Sequence, residues 1–359
     1  MTVVGTALCG SYDRDAVAAA VASATAAAGG LPPVAGKRVL IKPNLLSDTG
    51  PDSAATTHPE VVAAVCRMVR EAGGTPVLAD SPGAGHLYTS KTLHRIYERS
   101  GMQRVAEETG TELSFDTGLE EVSFPGGVVM KRFFLIRPVR EADVIISVCK
   151  LKTHMFTKFS GGVKNTFGVV PGLEKPAFHS RFPAAEDFSE MLVDLNELIR
   201  PDFVVMDAIF GMEGNGPMGG SPKFCGYVLA SSSVYALDVS AQRLIGMDPE
   251  RIATTAAAQR RGLLDFVEEK GDEIRPVTVL HIEGQSVLRS KPLRIRCFVV
   301  HQGCDPHHKY HLFSPLYWIL KRMKTPISTK KHRVYPHTPG VHYFMPLRIS
   351  ITAIMGSRM

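Results

Sequence analysis

The sequence lacks the long apolar run and the paired cysteines that would assign it to a familiar class at once. No window approaches the roughly 18 uninterrupted apolar residues that a membrane-spanning helix requires. The Ala-rich run over residues 16–28 has no basic segment before it, and we read it as a surface helix, not a signal peptide. No GxSxG nucleophile elbow is present, so the sequence does not support a hydrolase of the α/β-hydrolase type.

The cysteines are few and scattered, and no CxxC pair occurs among them. They are Cys9, Cys66, Cys149, Cys225, Cys297 and Cys304. This distribution in a long chain favours reduced thiols over a disulfide framework. We therefore expect a cytoplasmic protein.

Charge is distributed unevenly along the chain. From Asp305 to the end there are nine Lys or Arg residues and one acidic residue, a net charge of +8, whereas residues 1–304 carry −2. We expect an α/β domain over residues 1–300 and a basic, His-rich, irregular tail over residues 301–359. The tail is read as a solvated extension, and docking on an anionic membrane or on nucleic acid is the alternative.

Short apolar runs alternate with helix-like segments over the first three-quarters of the chain. Strands are predicted at 38–41, 76–79, 133–136, 143–148 and 203–206, and helices at 58–71, 90–109 and 187–199. The strands are nearly continuous apolar runs, which is typical of a sheet buried on both faces. The pattern predicts a mainly parallel sheet in a three-layer α/β/α arrangement.

Polar segments follow four of the predicted strands. They span residues 42–46, 80–86, 150–164 and 207–220. Ligands of open α/β sheets bind outside the carboxyl ends of the strands, so we expect these distant segments to meet at one edge.

The segment from Lys150 to Gly168 is the richest in polar side chains. Lys150, Lys152 and His154 are spaced two residues apart, so an extended backbone would direct them to one side. Lys164 and Asn165 follow a Gly-Gly pair that permits close backbone approach. Cations and amides of this kind predict a site for an anion. The histidine is open to three readings: general base, metal ligand or hydrogen-bonded side chain.

Further polar side chains lie in or near the other segments. Lys42 and Asn44 end the first predicted strand, His58 starts a helix, and Ser81 lies in a glycine-containing turn. The turn around Ser81 matches neither the dinucleotide nor the P-loop motif. The remaining groups are carboxylates, which would hold a divalent cation, act as acid or base, or neutralise the lysines.

These considerations give each site residue an expected role. The catalytic candidates are Lys152, His154 and Lys164. The substrate-binding candidates are Lys42, Asn44, His58, Ser81, Lys150 and Asn165. The metal candidates are Asp80, Asp207 and Glu213. Clustered lysines depress one another's pKa, so one of them is a candidate base or Schiff-base nucleophile. Whether the chain is an enzyme stays open.

Read in order, these motifs resemble the DUF362 family over residues about 35–250. The matching pieces are IKPNL (41–45), TTHP (56–59), DSPG (80–83), KLKTH (150–154), SGGVKN (160–165), DA (207–208) and EGNGP (213–217). The resemblance implies a fold region and a polar site, without an established substrate. It also implies kinship with iron–sulfur, ferredoxin-like proteins in which a cluster-binding segment follows the main domain.

The C-terminal residues depart from that pattern. A CxxCxxCxxxCP frame laid on this region places Pro339, His342, Met345 and Ile349 at the four ligand positions, and no cysteine follows Cys304. We therefore expect no [4Fe–4S] cluster of the usual kind here, because its ligands are thiolates. The ending is either a degenerate or frame-shifted ferredoxin-like segment or a coincidental match.

Two functions follow from this reading. The first is binding of an anionic small molecule, phosphorylated or a carboxylate, at the strand ends. The alternative is a member of an electron-transfer family that has lost its cluster and serves as a binding or scaffold module for a redox partner protein.

Overall fold

The computed structural model describes residues 1–83, 85–172 and 174–277, together with the backbone of two short strands further along. The chain forms two compact units, residues 1–284 and 285–359. In the second unit, Ile295–Cys297 pairs antiparallel with Leu347–Ile349. Most of the predicted tail, including ligand-frame positions Pro339, His342 and Met345, lies outside the described residues. The expected boundary at residue 300 stays a prediction.

Eleven strands occur in the described part of the first unit. They are β1 (Thr2–Leu8), β2 (Arg38–Pro43), β3 (Thr75–Leu78), β4 (Glu112–Leu113), β5 (Leu119–Ser123), β6 (Arg132–Ile136), β7 (Val144–His154), β8 (Lys158–Ser160), β9 (Phe203–Asn215), β10 (Gly219–Ser231) and β11 (Val267–Gly271). Nine of them form one sheet in the order β11-β1-β10-β9-β7-β2-β3-β4, with β8 paired to β7, and β5 pairs with β6 in a separate sheet.

The large sheet is mainly parallel, as predicted. The consecutive strands β9, β7, β2, β3 and β4 run parallel to one another, and β11 runs parallel to β1. Only β10, which is antiparallel to both β1 and β9, and the short β8 break the pattern among the described strands of this sheet.

Ten α-helices accompany the sheet in the described residues. They are α1 (Arg14–Ala27), α2 (Pro59–Glu71), α3 (Ser90–Arg99), α4 (Met102–Thr109), α5 (Arg137–Glu141), α6 (Gly162–Asn165), α7 (Glu174–Arg181), α8 (Ala185–Ile199), α9 (Val234–Leu244) and α10 (Ala253–Arg260). Apolar residues of α1 and α2 pack on one face of the sheet, and those of α8 and α9 on the other. The predicted three-layer α/β/α arrangement is confirmed. Within the described residues, no helix has the length and apolar character needed to span a membrane.

Several predicted boundaries were wrong. The strand predicted at 143–148 continues to His154 as β7, and its eleven residues are all buried because β8 and β9 pair with its end. The helix predicted at 90–109 is two helices, broken where Gly101 adopts a φ of +79°. The strand predicted at 133–136 is present as β6, Arg132–Ile136, but it pairs with β5 in a separate sheet.

The polar segment 207–220 forms most of the β9–β10 hairpin. Its backbone pairs from Phe210 opposite Phe224 to Asn215 opposite Gly219. Gly211 lies against the Leu151 side chain, where a Cβ atom would come within 3.2 Å of the leucine. Close strand packing is therefore the reason for a glycine at this position.

Candidate functional site

A small cavity opens where β2, β3 and β7 end. Its volume is about 60 Å³. Eight of the twelve predicted site residues line it: Lys42, Asn44, Asp80, Ser81, Lys152, His154, Lys164 and Asn165. Pro217 also lines the cavity, so the structure brings together residues from all four polar segments at the carboxyl edge of the parallel strands. Lys175 adds a fourth lysine to the lining.

Lys42, near the end of β2, is paired with a carboxylate. Its Nζ lies 2.7 Å from Asp80 Oδ1 and donates to the Pro43 carbonyl at 3.0 Å. The other carboxylate oxygen of Asp80 accepts a hydrogen bond from the Leu45 backbone N–H at 2.7 Å. Gly168 packs directly on this ion pair, and a Cβ atom there would collide with both Asp80 Oδ1 and Lys42 Nζ. The ion pair is therefore enclosed by backbone.

Lys152, on β7, has only neutral acceptors. Its Nζ donates to Asn44 Oδ1 at 2.9 Å and to the Ala55 carbonyl at 2.8 Å. Burial, reinforced by the charges of Lys164 and Lys150, lowers the pKa of Lys152 to about 7. The site thus holds an ammonium that loses its proton readily near neutral pH.

Lys175, on α7, was not among the predicted site residues. Its Nζ donates to the Ser81 carbonyl at 2.6 Å, to Ser81 Oγ at 3.1 Å and to the Pro82 carbonyl at 2.9 Å. Burial lowers the pKa of Lys175 to about 7. Helical periodicity was the signal that could have identified the residue, because Lys175 shares the buried face of α7 with Phe178.

Lys164, on α6, has a different environment from the other three cavity lysines. Within the described residues its ammonium makes no hydrogen bond and no ion pair. Its Nζ lies over the rings of Phe167, 5.4 Å from the centroid, and Phe188, 5.6 Å from the centroid. Burial lowers the pKa of Lys164 to about 8.

His154 ends β7, and its hydrogen bonds identify its tautomer. Nδ1 accepts backbone N–H groups from Phe156 at 3.1 Å and Thr157 at 3.3 Å. A nitrogen that accepts two donors carries no proton, so the neutral ring is protonated at Nε2. Burial, with Lys164 and Lys152 nearby, lowers the pKa of His154 far below its ordinary value. This arrangement favours a hydrogen-bond donor over a general base or a metal ligand.

The two asparagines connect the lining elements to each other. Asn44 Nδ2 donates to Asn165 Oδ1 at 3.1 Å, while Asn44 Oδ1 accepts from Lys152. Asn165 Nδ2 donates to Ser147 Oγ at 2.9 Å and to the Lys42 carbonyl at 3.3 Å. The amides therefore hold β2, β7 and α6 in register and orient the Lys152 ammonium.

Asp238, on α9, anchors the turn that carries Lys164. Its two carboxylate oxygens accept the backbone N–H groups of Gly162 at 2.6 Å and Val163 at 3.1 Å. Burial raises the pKa of Asp238 to about 7. A side chain at Gly161 would collide with this carboxylate, so the Gly-Gly pair is needed here for close packing. Asp238 was not predicted, because it lies 75 residues after Val163 in the sequence, on a helix that reaches this turn only in the folded structure.

A second polar cluster, formed by Tyr12, His58, Lys150 and Asp207, lies beside the cavity lining. Lys150 Nζ is 2.8 Å from Asp207 Oδ2 and 2.7 Å from the Tyr12 hydroxyl, which donates to Asp207 Oδ1 at 2.9 Å. The His58 backbone N–H donates to Asp207 Oδ2 at 2.9 Å, and its ring stacks on Tyr12. One cation faces one anion, so this cluster is neutral.

The second cluster separates three predicted site residues from the cavity. Lys150 and His58, expected to bind substrate, and Asp207, expected to bind metal, contact one another instead. Burial lowers the pKa of His58 to about 4, which keeps the ring neutral. Tyr12 was missed by the sequence analysis. Its position as an aromatic residue in the polar turn after β1 was the feature of the sequence that could have identified it.

The three predicted metal ligands do not converge. Asp80 and Asp207 each pair with a lysine, and Glu213 is partly buried further along β9. In the described part of the chain, no group of three or more His, Cys, Asp or Glu side chains is placed to hold a metal ion. The lysine pairs correspond to the alternative in which the carboxylates neutralise the site.

Comparisons with known proteins bear on the family. A thylakoid-associated protein of Synechocystis sp. is 38% identical over 235 residues, covering 64% of this chain and 69% of the relative. The lactate racemase apoprotein from Thermoanaerobacterium thermosaccharolyticum aligns with a TM-score of 0.40 at 14% identity, and the match covers 68% of this chain and 56% of that one.

The family model described as "Domain of unknown function (DUF362)" matches residues 39–243, a span that contains every described residue of the cavity lining and all of β7. The relative's name associates that protein with thylakoids, and the cytoplasmic localisation expected for this chain stays a prediction. The resemblance seen in the sequence motifs is confirmed: the chain belongs to the DUF362 family.

Proposed function

We propose that the chain binds a small anionic molecule, a carboxylate or a phosphate, in the cavity at the ends of β2, β3 and β7. One observation carries the proposal. Four lysines line the cavity, Lys42, Lys152, Lys164 and Lys175, whereas Asp80 is the only carboxylate among the described lining residues.

The charge balance explains why an anion fits. With every group ionised, four ammonium groups would face one carboxylate in a site largely removed from water. Burial of unpaired charge is unfavourable, and the site responds by lowering lysine pKa values to about 7 or 8. A bound anion supplies the missing negative charge and lets the lysines keep their protons.

The size of the cavity limits the class of ligand. A volume of about 60 Å³ has room for roughly four to six water-sized groups. That space suits one carboxylate or phosphate group with a few attached atoms. A whole nucleotide requires a larger cleft.

The lining also matches an oxyanion in its hydrogen-bonding character. Lysine ammonium groups are pure donors, and the Nε2–H tautomer of His154 adds one more. Oxyanions are pure acceptors, and hydrogen bonds between ionised partners are the strong ones. Among the described lining residues, the Lys164 ammonium and the Nε2–H of His154 are donors without a protein acceptor, so both are free to bind an oxyanion.

Thermal unfolding with and without anions tests the proposal. Phosphate, propionate and pyruvate are added to the wild-type protein and to the double variant Lys152→Met/Lys175→Met at pH 7. We expect at least one anion to raise the thermal unfolding midpoint of wild type and to leave the midpoint of the double variant nearly unchanged. Lys91→Met, which removes an exposed lysine on α3, is the matched control and should behave as wild type. No shift with any anion, or equal shifts in all three proteins, would overturn the proposal.

A further inference from the structure

We propose that Lys164 is a nucleophilic amine that forms an imine with a 2-oxo acid, a compound with a carbonyl group next to a carboxylate. This inference rests on the proposed function, because the carboxylate of the oxo acid would occupy the lysine cavity. It adds a substrate class and a covalent step to simple binding.

The four cavity lysines divide into two kinds. Lys42, Lys152 and Lys175 are each held by two or three acceptors at 2.6–3.1 Å. The N–H groups of a lysine held in this way are committed to those acceptors, so its nitrogen cannot move toward a carbonyl carbon without breaking these hydrogen bonds. Lys164 has no such acceptor within the described residues, so its amine is available for reaction.

Burial of Lys164 favours the neutral amine, and the ring faces of Phe167 and Phe188 hold its Nζ in place. Two phenyl rings, those of Phe167 and Phe188, lie beside its Nζ, and the imidazole of His179 stacks on Phe188 with ring centroids 4.4 Å apart. Burial lowers the pKa of His179 to about 4, so this ring adds no charge. Desolvation and neighbouring cations are two conditions that activate a lysine nucleophile. Lys164 is buried, and it lies close enough to Lys152 and Lys175 for its charge to act on them.

The step balances without a cofactor. The Lys164 Nζ lone pair attacks the carbonyl carbon, and the π electrons of the carbonyl move to its oxygen. After proton transfer from nitrogen to oxygen, water leaves and a C=N bond forms. Amine and carbonyl therefore give imine and water, with no oxidant or reductant. His154, whose Nε2–H is a donor in the same cavity, is suited to hold the carbonyl oxygen.

The dimensions of the site select the 2-oxo acid among carbonyl compounds. With a volume of about 60 Å³, the cavity places any reacting carbon only a few atoms from the bound anionic group. A carbonyl directly adjacent to the carboxylate satisfies this requirement. An aldehyde separated from a phosphate by several carbons does not.

Reductive trapping tests the inference on the full chain. Wild-type protein is incubated with pyruvate and cyanoborohydride at pH 7.5 to 8, the range in which an amine of lowered pKa is partly neutral, and the labelled peptides are mapped by mass spectrometry. We expect one reduced adduct on Lys164, formed well before exposed lysines such as Lys91 react. Propionate, which has the carboxylate but no carbonyl, should compete with labelling.

Lys164→Arg and Lys164→Gln separate the covalent step from binding. Both should lose the adduct, and Lys164→Arg should still bind propionate, because it keeps the charge. An adduct on Lys152 or Lys175, labelling no faster than at Lys91, or no adduct in a wild-type protein that binds propionate would overturn the inference and leave anion binding intact. Failure of wild type to bind any of the anions would instead overturn the proposed function itself.

Discussion

Lys150 and Lys152 lie two residues apart on the same buried strand, and only one of them has a carboxylate partner. Lys150 Nζ is 2.8 Å from Asp207 Oδ2, whereas Lys152 Nζ contacts the neutral oxygens of Asn44 and Ala55. The two ammonium groups therefore have opposite consequences for the protein. The first completes a neutral cluster, and the second contributes unpaired positive charge to the cavity.

Replacing these two lysines with methionine should affect stability unequally. Lys150→Met leaves the Asp207 carboxylate buried without its cation, so we expect the free energy of unfolding to fall by about 3–5 kcal/mol. Lys152→Met removes a charge that burial disfavours and leaves two neutral acceptors unpaired, so a loss of about 1 kcal/mol is expected. Urea unfolding at pH 7 measures both. Equal losses would show that the charge assignment is wrong.

The cavity lysines should make stability depend on pH. The folded-state pKa values of Lys152 and Lys175 are about 7 and that of Lys164 is about 8, against an ordinary value of 10.5. Above pH 7 the unfolded state binds more protons, so the free energy of unfolding should rise with pH. The destabilisation is full below about pH 7 and fades as the pH approaches 10.5.

Urea unfolding of wild type and Lys152→Met/Lys175→Met between pH 7 and about 8.5 isolates this contribution, because buried cysteines titrate with opposite sign above that range. Wild type should gain stability more steeply than the double variant. Anion affinity should change in the other direction and weaken as the pH rises, since neutral lysines hold no anion. Parallel stability profiles in the two proteins would contradict the lowered pKa values.

His154 is expected to remain a neutral Nε2–H donor across the physiological range. Nitrogen-detected NMR of ¹⁵N-histidine should show a single Nε2-protonated ring that does not titrate between about pH 5 and 8. A glutamine at this position retains an acceptor and a donor, so His154→Gln should keep most of the anion affinity. His154→Leu should lose about tenfold or more. Titration of the ring near its ordinary pKa would restore the general-base reading.

Gly168 should tolerate no side chain, because its Cα faces the Lys42–Asp80 pair. The added methyl group of Gly168→Ala would displace both charged atoms, so we expect clear destabilisation and weaker anion binding. Gly50→Ala is the control, since a Cβ atom there meets nothing within 4 Å and the residue has a φ of −65°. If thermal unfolding showed the two variants to be equally stable, the enclosed ion pair would not exist as described.

Much of the cavity could be predicted from the sequence because the carboxyl ends of parallel strands share one edge. That rule brought Lys42, Asp80 and Lys152 together from segments more than 100 residues apart, and their grouping follows from strand order alone. The same reasoning does not reach residues supplied by helices. Lys175 and Asp238 contribute through the docking of α7 and α9. Helical periodicity can indicate that Lys175 is buried, but no local pattern specifies where either helix docks.

The alternation rule does not account for the different partners of Lys150 and Lys152, and the reason is physical. Lys150 and Lys152 were expected to act together because a regular strand directs them to one side. The pairing of β7 with β9 shifts register between them, from Lys150 opposite Asp207 to Lys152 opposite Met212. A bulge of this kind redirects a side chain, and the sequence of β7 contains no pattern that predicts it.

Proton uptake on anion binding tests the central claim most directly. Calorimetric titration of the full chain with propionate at pH 8, in two buffers with different ionisation enthalpies, gives the affinity and the number of protons taken up, because propionate itself does not titrate there. The account predicts saturable binding with net proton uptake in wild type, and loss of both in Lys152→Met/Lys175→Met. Binding without proton uptake, or identical titrations of the two proteins, would contradict a cavity in which anion binding causes neutral lysines to take up protons.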